Sequence, residues 1–253
     1  MTTLVDAAAA LRAVRLVRTF GDGAQRRVAL DHVDVALEPG RLALLMGPSG
    51  SGKSTLLAVL SGLLPPDSGE VLEPSADGRT GRNIWTMSQR QRERWRLANV
   101  GFVFQGYNLF PALTAVQQLE IVLKWGLDLG SREAHQRSAA MLDRLGLGKQ
   151  LHKKPAQLSG GEKQRVAIGR AMVKGSKFVF ADEPTSALDW ENGRQVVELL
   201  RQAAHERGAS IFIVSHDHRL LPFVDIAYHL EDGKLEDMPT TVELEPAAAA
   251  GGS

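Results

Sequence analysis

Along the chain, short apolar runs alternate with longer stretches in which apolar residues recur at helical spacing. Residues 15–19 and 33–37 read as early strands, and the second alternates apolar and polar positions as a half-buried strand does. Residues 42–46 are apolar throughout, the pattern of a strand covered on both faces. From Gly47 the chain turns into a helix expected to run to about Leu63, and Pro65, Pro66, Asp67, Ser68 and Gly69 then open a turn. Residues 100–104 predict another strand. From 114 to 147 the pattern is helical throughout, with Gly130 and Ser131 as the break between two helices. Strands return at 178–180 and 211–214, with a helix over about 190–205 between them. This alternation predicts an α/β fold of parallel strands joined by right-handed crossovers, with a helical stretch inserted. No internal repeat of solenoid length is present.

Composition narrows the picture. The 253 residues, 43% of them hydrophobic, suffice for one large domain with its own core. The absence of cysteine excludes a disulfide scaffold, a Cys-ligated zinc site and thiol catalysis. Thirty basic against 29 acidic residues leave a net charge of +1, which gives no support to nucleic-acid binding by bulk charge. Asp6, Arg12, Arg15 and Arg18 interrupt the N-terminal apolar positions, so no secretory leader is expected. The uncharged run 97–119 holds Asn99, Gln105, Asn108, Pro111, Gln117 and Gln118, too polar for a membrane-spanning helix. Residues 1–240 are expected to form a single domain, and the low-complexity end within 241–253 a disordered or appended tail.

Three groups of residues carry chemistry. Gly47, Pro48, Ser49, Gly50, Ser51, Gly52, Lys53, Ser54 and Thr55 fit G-x-x-x-x-G-K-[ST] between an apolar strand and a helix. Glycines there let backbone N–H groups cradle phosphate oxygens, while Lys53 supplies a point charge and Ser54 a hydroxyl for Mg²⁺. The apolar strand from Phe178 finishes in Asp182 and Glu183. An acidic pair after a strand is by itself most often a solvated loop; beside a phosphate loop it suits a Mg²⁺ ligand (Asp182) and a general base (Glu183). Ser159, Gly160, Gly161 and Glu162 open a third segment, a helix N-terminus expected to present bare N–H groups to an anion. One nucleotide rarely needs two such helix starts from one chain. Two chains packed head to tail would use both.

At Leu158-Ser159-Gly160-Gly161-Glu162 the chain resembles the ATP-binding-cassette (ABC) ATPases, whose signature is LSGGQ; here Glu162 holds the fifth position. The resemblance covers about residues 11–238. It implies a phosphate-loop NTPase (RecA-like) core with an N-terminal antiparallel β region and an inserted helical sub-domain over about 108–165. It implies ATP and Mg²⁺ as ligands, with Gln105 touching metal and water, Asp189 in the loop that communicates across a dimer, and His216 at the γ-phosphate. Phe20 matches the aromatic that stacks on adenine, although the residue alone reads nearly as well as part of the core. The segment from Ser88 to Pro111 resembles exporters of the macrolide and lipoprotein-release group. The stretches from Pro184 to Asp189 and from Asp217 to Leu221 are closest to its glycolipid and haem exporter branch. The resemblance therefore implies a homodimer closing on nucleotide, bound to an integral membrane permease on the cytoplasmic face of the inner membrane, with room for a periplasmic adaptor. A regulatory ATPase of the cell-division type, transmitting force without transport, is the alternative. The arginine-rich stretch from Arg79 to Arg96 reads as a solvated helix facing permease or lipid, and no nucleic-acid partner is expected. His135, His152, His205, His218 and His229 have no metal-ligand spacing.

Overall fold

The computed structural model describes residues 10–74 and 81–240, so the expected tail lies outside the described residues. Strand β1 (Leu11–Phe20) pairs antiparallel with β2 (Arg27–Leu37) and, on its other edge, with β4 (Ser68–Leu72). Between them in the chain lie β3 (Leu42–Met46), buried at every position, and α1 (Lys53–Leu60). Then follow α2 (Gln89–Asn99), β5 (Val100–Val103), α3 (Ala115–Leu127), α4 (Ser131–Arg144) and α5 (Gly160–Met172). The chain continues through β6 (Phe178–Asp182), α6 (Trp190–Arg207), β7 (Ser210–Val214), β8 (Ile226–Glu231) and β9 (Lys234–Met238). The second sheet has the order β5-β6-β7-β3-β8-β9, parallel except for β9, which pairs antiparallel with β8.

β3 is apolar at every position, and β6 and β7 are apolar apart from Asp182 and Ser210 at their ends, because this sheet is covered on both faces. Leu42, Leu44 and Met46 join Val179, Ala181, Ile211 and Ile213 in one core, against α3, α5 and α6. Their alternates Ala43, Leu45, Phe178, Phe180, Phe212 and Val214 enter a second core shared with β1, β2 and α1. Helices α3 and α4 form the insertion between β5 and β6, and α5 packs on both of them and on β5. The uncharged run 97–119 ends α2, forms β5 and a loop, and begins α3. Among the described residues no helix is long and apolar enough to cross a membrane.

The structure departs from the expected elements in four places. β1 and β2 are longer than residues 15–19 and 33–37, because register shifts near Arg15 and His32, both at positive φ, break the alternation that marks a strand. β4 begins inside the expected turn, where Gly69 (φ +92°) lets the backbone pass close to Arg15 O. Helix α1 stops at Leu60 rather than Leu63, capped by Ser61 and the left-handed Gly62. β8 and β9 were not expected at all. β9 is polar because it is a sheet edge, which needs no apolar face on its outer side.

Candidate active site

The loop between β3 and α1 is held by its glycines. Gly47 (φ +141°) and Gly52 (φ +108°) lie in backbone conformations closed to other residues, and a side chain at either would collide with Leu230 O or Ala29 O. In this cradle Lys53 Nζ folds back to donate to Gly47 O at 2.8 Å and Pro48 O at 2.7 Å. Burial lowers the Lys53 pKa, against the opposing pull of Glu183 and Asp182. Ser54 Oγ donates to Asp182 Oδ2 at 2.9 Å, so phosphate loop and strand end meet.

Glu183 follows β6 with φ +48°, a left-handed backbone that costs a non-glycine residue energy and is commonest at functional sites. Its N–H is tied to Val214 O at 3.0 Å, which holds the turn against β7. Glu183 Oε1 lies 3.0 Å from His216 Nδ1, and Glu183 Oε2 is buried with no hydrogen-bond partner among the described residues. The His216 side chain is 74% exposed and Glu183 only 16%.

Phe20, Gly47, Ser49, Gly50, Gly52, Lys53, Ser54, Thr55, Gln105, Asp182, Glu183 and His216 all line one cavity of about 550 Å³. That volume is within the usual range for small-molecule sites, ~300–1,000 Å³. Pro48 and Ser51 belong to the loop without lining the cavity; Pro48 O accepts from Lys53, and the buried Ser51 Oγ has no partner. Ser54, Asp182 and Gln105 supply hard oxygen atoms beside the cradle. Mg²⁺ suits such a set, since it takes one or two protein oxygens and completes its shell with phosphate oxygens and water. Among the described residues no cluster of three or more His, Asp or Glu could hold a metal by itself. Ser186, which opens the loop to Asp189, also lines the cavity, as do Arg27, Ala29 and Val214, which carry no sequence signal of their own.

Ser159, Gly160, Gly161, Glu162 and Asp189 do not line the cavity. They form a second patch. A Cβ at Gly160 would lie 3.2 Å from Tyr107 Oη, and one at Gly161 3.1 Å from Asn192 Oδ1, so the start of α5 sits beside the start of α6. Asp189 caps α6 by accepting from Asn192 N at 3.0 Å. The expectation of bare N–H groups at α5 needs correction. Ser159 and Glu162 close a capping box: Ser159 N donates to Glu162 Oε2 at 2.8 Å, and Glu162 N to Ser159 Oγ at 3.2 Å. The Ser159 N–H bond holds the Glu162 pKa below the ordinary carboxylate value. Glu162 thus caps the helix, leaving the Gly160 and Gly161 N–H groups as its open donors.

A family model described as ABC transporter matches residues 30–186. The chain is also 37% identical over 227 residues to the putative hemin import ATP-binding protein HrtA of Staphylococcus haemolyticus, covering 90% of this chain and 99% of that protein. The chain belongs to the ABC transporter family. As an ABC cassette it is an ATP-hydrolysing subunit that drives a membrane permease. It is 37% identical over 220 residues to the macrolide export ATP-binding/permease protein MacB of Marinobacter nauticus, covering 87% of this chain but only 33% of that longer protein. Among solved structures, a dimeric bacterial ABC transporter cassette superposes with TM-score 0.80 and 31% identity, covering 92% of this chain and 99% of its own. The same neighbour in a post-hydrolysis state bound to ADP and Pi gives TM-score 0.79.

Proposed function

We propose that this cassette powers an exporter as a pair of identical chains, each nucleotide lying between the phosphate loop of one chain and the signature residues of the other. The observation that carries the reading is the split between cavity and patch. A nucleotide seated on Lys53 leaves Ser159, Gly160, Gly161 and Asp189 of the same chain idle. A second copy packed head to tail gives them a ligand. The dimeric state of the structural neighbour supports the same arrangement. One relative is named for export and another for import; the exporter-like segment from Ser88 to Pro111 favours export.

In this reading Phe20 stacks on adenine and residues 47–55 wrap the phosphates, with Lys53 leaving its two carbonyls for the β- and γ-phosphate oxygens. Ser54, Asp182 and Gln105 would hold Mg²⁺, which when bound would supply positive charge against the phosphate oxygens. Glu183 takes a proton from the attacking water through its unpartnered Oε2, while His216 steadies Oε1. Residues 1–240 act as one cassette, with 108–165 as its helical sub-domain, at the cytoplasmic face of the inner membrane. The transport pathway belongs to the permease, and no step here needs a periplasmic adaptor.

Size-exclusion chromatography of Glu183→Gln tests the pairing. With ATP and Mg²⁺ the variant elutes as a dimer, and with EDTA as a monomer. A monomer under both conditions overturns the shared site.

A further inference from the structure

Among the described residues the cavity is lined by one Arg or Lys besides Lys53. Arg27 opens β2 directly across from the last residue of β1, Phe20, and both line the cavity. Its guanidinium donates one hydrogen bond, to Gly50 O on the phosphate loop. Gly50 is a position the phosphate-loop pattern leaves free, and it makes room here: a Cβ would lie 2.9 Å from Arg27 Nη2. Among the described residues Arg27 pairs with no carboxylate, whereas its neighbour Arg18 pairs with Asp67 at 2.6 Å and lies 5.0 Å over the Phe20 ring. A guanidinium has five donors in a rigid fork matched to phosphate. A single carbonyl uses little of that capacity, and ordering a long side chain for it costs rotamer entropy.

We infer that Arg27 is a nucleotide-binding residue, a second cationic clamp on the phosphates supplied by β2 rather than by the phosphate loop. It stands between the Phe20 ring and Gly50, so it reaches the α- and β-phosphates, the part of the nucleotide between base and γ-phosphate. ATP and ADP share those groups and adenosine lacks them. The inference rests on the proposed seating of ATP in this cavity.

Equilibrium binding of MgATP, MgADP and adenosine to the full chain tests it, alongside apo melting temperatures. Arg27→Ala is expected to weaken MgATP and MgADP alike by about ten- to a hundredfold, the size of a lost hydrogen bond to a charged group. Adenosine affinity and apo melting temperature stay unchanged, and Arg27→Lys recovers part of the loss because it restores charge without the fork. Arg27→Gln replaces Arg27→Ala if the latter does not fold. Unchanged MgATP affinity, or equal weakening of all three ligands with a lower apo melting temperature, overturns the inference and leaves Arg27 as a brace for the loop. Lys53→Ala separates the two levels. If it too binds MgATP normally, the seating itself fails; if it loses MgATP while Arg27→Ala does not, only the role of Arg27 fails.

Discussion

Lys53 spends its charge on two carbonyls of its own loop, and Glu183 holds a buried carboxylate oxygen that nothing satisfies. Both arrangements cost free energy that a substrate would offset, because a charge and an orphaned acceptor are each left ready for a partner. Lys53→Ala is expected to cut ATP turnover at least about a hundredfold, the usual cost of losing a preorganised contact to transition-state charge. The fold should survive, as the helix begins at this residue and alanine is a good helix former. Turnover within about threefold of the parent would rule out the phosphate-loop assignment, since a lost transition-state contact costs far more than that. Glu183→Gln keeps shape and hydrogen bonding but cannot take a proton, so hydrolysis is expected to fall by about 10²–10⁴ while ATP still binds. Single-turnover hydrolysis measures it, and a parent-like rate moves the base to His216.

Among the elements, one carboxylate ties three together. Asp225, with its side chain only 4% exposed, precedes β8, accepts from Leu42 N at the start of β3 at 2.8 Å, and meets His205 Nε2 of α6 at 2.9 Å. Arg201 Nε of the same helix is 3.3 Å away. Burial pushes the Asp225 pKa up, but the Leu42 N–H, His205 and Arg201 outweigh it, and the net shift is downward. Asp225→Ala orphans the Leu42 N–H and is expected to cost about 1–3 kcal/mol near neutral pH, read by urea unfolding. Because the folded-state pKa is depressed, the wild type holds this stability above the ordinary carboxylate range of about 4 and loses it as pH falls through the folded value. The gap between wild type and variant should therefore shrink below about pH 4. A gap that is constant down to pH 3 would show that Asp225 acts by packing rather than by charge.

For the molecule as a whole, the proposed pairing, with cavity and patch meeting across two chains, would make function a property of the dimer. Mixing inactive Lys53→Ala with inactive Ser159→Arg places both lesions in one composite site of the heterodimer and neither in the other. If one intact site can turn over alone, activity returns on mixing; if both must fire together, it does not. Cross-linking decides either case. Cysteines at Ser51 and Gly161, in a chain with no others, are expected to form an intermolecular disulfide only with ATP bound in the Glu183→Gln background. The bond needs Cα atoms within about 7 Å. An intramolecular bond, or one indifferent to ATP, would show that no nucleotide lies between chains.

His216 after β7 was read through the family resemblance, whereas the phosphate loop, the acidic end of β6 and the signature at the start of α5 were legible as residue patterns. Each is a local pattern, where a few neighbouring residues determine turn, strand end or helix cap. The buried parallel strands were legible for a related reason, since cover on both faces leaves an uninterrupted apolar run. β4, β8 and β9 were not, because edge and hairpin strands owe their form to a neighbour's hydrogen bonds; the full lengths of β1 and β2 were not, because bulges near Arg15 and His32 scramble their period. Only tertiary structure brought Arg27 beside Gly50, since that contact depends on how β2 lies over the phosphate loop. The Ser159–Glu162 capping box is local, an S-x-x-E spacing the sequence itself carries; the third dimension kept that patch apart from Lys53. Spacing along a chain carries no information about which surfaces face one another, and packing decides it.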